Sequence, residues 1–239
     1  MDAPEAEPQE AAPQDVPSLD DPDYRAGVVD LLGTLAYGEL SAFLRLAADA
    51  ELAPTLQAKG RVAALAAIEF HHHRQLVERL VELGQDPETA MAPFVAALDD
   101  FHTRTSPSDW LEGLVKYHVG DGIAGDFYRE ISTYLDPETR ELVLSSLDTQ
   151  KHAAFVVQEV RTAIAEDPKL GSRLALWGRR LVGEALSQGQ RVAADREAFS
   201  VLLVGAGGTT GMGLVGIVEM FGRITERHTQ RMAELGLSS

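Results

Sequence analysis

Apolar residues recur along most of this chain at alternating spacings of three and four, the period of a helix with one face turned inward. In the first such segment, from about Tyr24 to Ala50, the stripe reads Leu32, Leu35, Glu39, Ala42 and Leu46. In the second, from about Thr55 to Leu83, it reads Val62, Leu65, Glu69, His72, Leu76 and Leu80, with Gly84 as the C-terminal stop. A crossover follows, with a short helix from Pro87 to about His102 capped by Asp86. The third long helix starts at Ser106-Pro107-Ser108-Asp109 and runs to about Tyr134. The fourth starts at Asp136-Pro137-Glu138 and continues to about Ile164. Two more, near Lys169–Leu203 and Met212–Leu235, flank a glycine run. The pattern predicts an all-α protein, with a four-helix bundle over 23–166 and a C-terminal two-helix extension over 167–239. Residues 1–22 are rich in Pro, Glu, Asp and Ala and too poor in apolar side chains to fold, so they read as a disordered acidic tail.

Composition narrows the chemistry. There is no cysteine, which excludes disulfides, thiolate metal sites and iron–sulfur clusters. Any metal must therefore be held by carboxylate and imidazole. The net charge is -16 and uneven: residues 1–149 carry 10 basic against 28 acidic side chains, residues 150–239 carry 11 against 9. That balance argues against broad non-specific binding to nucleic acid. The first residues are acidic and proline-rich rather than basic then apolar, so no signal peptide is expected and a cytoplasmic location is the default. Residues 201–218 carry no charge, but their central glycines and threonines fit a helix–loop–helix better than a membrane span, and no membrane partner is expected. Gly205, Gly207 and Gly211 evoke a dinucleotide-binding loop, yet Thr210 stands where the third glycine belongs and no strands flank it. Arg223, Arg227 and Arg231 fall on one helix face, which reads as solvated.

The polar residues on the buried stripes carry the functional signal. Glu39 lies among apolar neighbours on the first helix, and Glu69 and His72 take stripe positions one turn apart on the second. Such groups are costly to bury unless paired or bound to a metal. The second half repeats the theme: Asp121 on the third helix, with Asp126 further along, and Asp148 and His152 four apart on the fourth. Two helix pairs, each giving an acid plus an acid–histidine pair, form the donor set of a di-iron carboxylate centre. These oxygen and nitrogen donors suit two iron ions, or manganese. Gly120, Gly122 and Gly125 fit a close helix approach, or leave room beside the metals.

The order Glu39, Glu69-Phe70-His71-His72, Gly120-Asp121-Gly122 and Asp148-Thr149-Gln150-Lys151-His152 resembles the ferritin-like superfamily. Within it, residues 26–165 resemble the actinobacterial ferritin-like proteins grouped with tRNA hydroxylases of the MiaE type. The resemblance implies a non-haem di-iron hydroxylase that consumes dioxygen and electrons from an external donor, with a modified tRNA adenosine as substrate. It carries over Glu39, Glu69 and His72. Asp121 and Asp148 stand where that family has glutamates, the latter displaced because Thr149 occupies the glutamate position, and His152 matches the histidine. Glu39 and Asp121 would be terminal ligands, Glu69 and Asp148 bridges, and His72 and His152 would each cap one iron. Ferroxidase or iron-handling activity, and a metal-free helical interaction protein, are the alternative classes. Self-association into a homo-oligomer is left open.

Overall fold

The computed structural model describes residues 18–146, 150–205 and 211–239. Ten α-helices lie among them: α1 (Pro22–Asp49), α2 (Leu56–Glu82), α3 (Pro87–Met91), α4 (Val95–Arg104), α5 (Trp110–Ser132), α6 (Pro137–Ser145), α7 (Gln150–Glu166), α8 (Lys169–Asp195), α9 (Glu197–Val204) and α10 (Gly213–Glu234). No strand occurs among the described residues, and the fold class is all-α.

Side chains at the helix starts fix several boundaries. Asp21, Thr55, Asp86, Asp109 and Asp136 each accept hydrogen bonds from backbone N–H groups one to three residues into the helix that follows. Gly84, at a φ of 70°, closes α2, its own N–H donating to Val81 and that of Gln85 to Leu80. The tail assignment falls largely on residues 1–17, outside the described residues; from Ser18 onward the chain turns into α1.

Three element boundaries differ from expectation. The crossover helix is split, because Pro93 lacks the N–H an α-helix needs there and a 3₁₀ turn over Ala92–Phe94 takes its place. The fourth helix is described as two segments, α6 and α7, with 147–149 outside the described residues. The segment after Lys169 breaks at Arg196, which adopts φ −126° and ψ 98°. Its guanidinium reaches the buried Asp30 of α1 with hydrogen bonds of 3.0 and 2.5 Å, a tertiary demand that overrides helix propensity.

The core has two parts. One joins Leu31, Leu32 and Ala36 of α1 to Leu76 and Leu80 of α2, Phe94, Ile131, Phe199 and Leu202. The other joins Leu46, Val62, Leu65, Val115, Val119, Val156, Leu174, Trp177 and Met232. Helix α8 supplies residues to both, α9 to the first, and α10 packs Ile217 against the first and places Met232 in the second. Along α1 and α2, the residues between the two cores are those around Glu39 and around Glu69–His72. Pro22–Leu52 is long and apolar enough by composition to cross a membrane, but 56% of its most apolar window is buried inside the bundle.

Candidate metal centre

Helix α1 runs antiparallel to α2, and the pairing sets Glu39 opposite Glu69 and His72. His73 fixes this register, because its Nδ1–H donates to the Ala36 carbonyl at 2.8 Å. It therefore ties helix to helix rather than supporting a ligand carboxylate. Glu39, Glu69 and His72 are buried, and one donor atom from each lies within 4.8 Å of the others.

The distances are those of ligands around an ion. His72 Nδ1 is 3.8 Å from Glu39 Oε2 and 3.9 Å from Glu69 Oε2. Both are too long for hydrogen bonds, and this buried nitrogen has no other hydrogen-bond partner. An ion about 2.1 Å from each donor would leave donors roughly 3 to 4.2 Å apart, from cis to trans. An orphaned imidazole nitrogen between two buried carboxylates is thus explained by a cation, and the group could hold a metal.

Electrostatics agree. Burial raises the Glu39 carboxyl well above its usual range, helped by Glu69 and opposed by His72. Burial lowers the His72 imidazole, but the two carboxylates outweigh it and push it up to about 9. Without a metal the cluster retains protons in place of a cation.

Asp121 lines the same cavity as Glu39 and Glu69. Its charge is felt at two partly buried phenols, Tyr117 and Tyr128. Both are raised, first by burial and then by Asp121, Glu69 and Glu39. Asp126 is placed elsewhere. It is buried against Arg231 at 2.6 Å and Arg129 at 3.2 Å, with Arg227 at 3.6 Å. Asp148 and the side chain of His152 lie outside the described residues, so the structure brings together Glu39, Glu69 and His72 and sets Asp121 beside their cavity.

The cavity holds about 500 Å³, the size of a small-molecule site. It runs between α1 and α5, with walls from α4, α8, α9 and α10. Leu35, Phe127, Phe199, Leu203, Met220 and Ile224 make its apolar end. Gly120 faces it with open space where a side chain would stand, whereas Gly122 makes way for the Arg231 side chain. Sequence reading missed Tyr117, although its spacing of four from Asp121 places it on the same face. It also missed Lys116 and Arg45, which line the cavity as well.

A helical bundle with carboxylates and an imidazole buried at its centre defines the ferritin-like class. The chain belongs to the family described as "Ferritin-like domain, actinomycetes", whose model matches residues 22–206. Among solved structures, a Synechococcus protein described as having aldehyde deformylating oxidase activity is similar in fold, with a TM-score of 0.71 and 17% identity. The match covers 93% of this chain and 95% of that one. No curated protein matches the sequence. The MiaE-type subgroup is not singled out by either match.

Proposed function

We propose that this protein is an oxygen-dependent oxidoreductase of the di-metal carboxylate type, acting on an apolar substrate taken into the central cavity. One observation carries the proposal: three buried metal donors, Glu39, Glu69 and His72, stand beside a roughly 500 Å³ cavity walled largely by apolar side chains. Asp121, Asp148 and His152 are the residues we assign to complete the set for two iron or manganese ions. When bound, the ions would supply dioxygen activation, with electrons from an external donor.

The chain's own residues do the rest. Glu39 and Glu69 bring negative charge that divalent cations offset, and His72 contributes a neutral donor once its proton leaves. The apolar cores on either side exclude water from the centre. The partly buried phenols of Tyr117 and Tyr128 stay protonated, because desolvation and the carboxylates both oppose their ionisation.

The activity named for the Synechococcus protein supports an oxidase reading of the fold, without fixing an aldehyde as substrate. A tRNA substrate is the weaker choice. Arg223 and Arg227 pair with Glu130, and Arg231 with Asp126, so the basic face of α10 is engaged by α5 rather than open to phosphates. Ferroxidase chemistry would not need the apolar chamber. The test is oxygen uptake by the full chain loaded anaerobically with ferrous iron and supplied with a reductant. Uptake that is lost in Glu39→Gln supports the proposal. Equal uptake in that variant refutes it.

A further inference from the structure

The cavity is chemically two-ended, and its second end is built for something other than metal. Beyond the carboxylates it is lined by Arg45 and Asp49 of α1, His102 of α4, and Gly113 and Lys116 of α5. Lys116 is 7% exposed, yet its ammonium makes no hydrogen bond or ion pair among the described residues. Its nearest aromatic contact is the Phe101 ring, 5.7 Å away. Arg45 stands exposed at the mouth and likewise forms no ion pair among the described residues. Asp49, packed over Gly113, is the one carboxylate lining this end, so two cations face one anion. Burial, Lys116 and Arg45 together hold the His102 imidazole down to about 3, so it stays neutral. Asp49 is the anion whose charge Lys116 feels, but it makes no direct contact and is shared with Arg45. An enclosed lysine held by so little is expensive unless a ligand adds a second anion.

Resting on the metal-centre reading above, we infer that this end binds the carboxylate head of a long-chain acid whose hydrocarbon runs past the metal ligands into the apolar end. Along α5, Lys116 precedes Asp121 by five residues, about 7.5 Å of helix; along α1, Arg45 follows Glu39 by six, about 9 Å. Leu35 and Phe127, at the apolar end, lie on the opposite side of Glu39 and Asp121 in each helix. The metal ligands therefore face the middle of the bound chain, not its head. Charge complementarity selects the class: an alkane or alcohol of equal length fills the same apolar space but leaves Lys116 and Arg45 sharing Asp49 alone.

Calorimetric titration of the full chain with palmitic acid and with hexadecanol, metal-free and iron-loaded, tests this. The acid should bind the parent, and Lys116→Met should weaken it by about ten- to a hundredfold while leaving the alcohol within about threefold. Lys116→Arg should restore most of the acid affinity, and circular dichroism should show all three proteins folded. Acid binding retained in metal-depleted Glu69→Ala supports a head-group subsite independent of the metals. Acid binding that is lost in Glu69→Ala but unchanged in Lys116→Met overturns the inference, placing the head at the metals and leaving the metal-centre reading intact. Failure of both ligands to bind the parent also overturns it.

Discussion

Replacing Asp126 by Asn separates a structural acid from a metal ligand. Asp126 is 1% exposed and meets three guanidinium groups. Arg129 and Arg227 are 40% and 37% exposed, so water screens them and each contributes only a few tenths of a kcal/mol. Arg231 differs: its side chain is 13% exposed, and its Nε and Nη2 have no hydrogen-bond partner. Its charge leans on the 2.6 Å contact with Asp126. Removing one partner of a buried pair costs about 3–5 kcal/mol, and because Asn keeps one acceptor we expect the low end, about 3 kcal/mol. At about 2–4 °C per kcal/mol for a chain of this size, Tm should fall by about 6–12 °C. Adding Arg231→Met should recover part of the loss, because the stranded charge is then gone. Iron content of the folded variant should match the parent. A variant that loses iron with an unchanged Tm would show that Asp126 is a ligand and that this assignment is wrong.

Two further outcomes follow from the same structure. A Cβ on Gly33 would sit 2.2 Å from the Ala90 carbonyl oxygen, so Gly33→Ala should cost about 1–3 kcal/mol, whereas Gly120→Ala meets nothing within 4 Å and should gain up to about 1 kcal/mol while narrowing the cavity; thermal melts and the acid titration read the two effects. In the metal-free protein the His72 pKa is raised to about 9 and that of Glu39 is raised as well, so the folded state binds more protons than the unfolded. The stability these two groups contribute should therefore be greatest below about pH 4.5, where both are protonated in either state, and decline as pH rises toward 9. Iron affinity should move the other way, because binding expels those protons; melts with and without iron across that range would check both.

Much of the fold was legible because its signals are local. The stripe of α2 and the caps at Thr55, Asp86, Asp109 and Asp136 are short-range patterns, and the structure obeys them. The break at Arg196 was not legible, since its cause, Asp30, lies 166 residues away. The arginine face of α10 looked solvated, yet Arg231 binds Asp126 across 105 residues. Periodicity says which face is buried but not what covers it. Glu39, Glu69 and His72 stood out because each interrupts an apolar stripe. Lys116 did not, because a lysine on a helix ordinarily reaches water, and only the surrounding helices reveal that this one faces a cavity.

The most direct test of the metal centre is iron content per chain after anaerobic loading and desalting, compared between the parent and Glu69→Ala. We predict two iron ions per parent chain and the loss of at least one in the variant. Full iron retained in Glu69→Ala, or none taken up by the parent, would contradict a metal centre built on Glu39, Glu69 and His72.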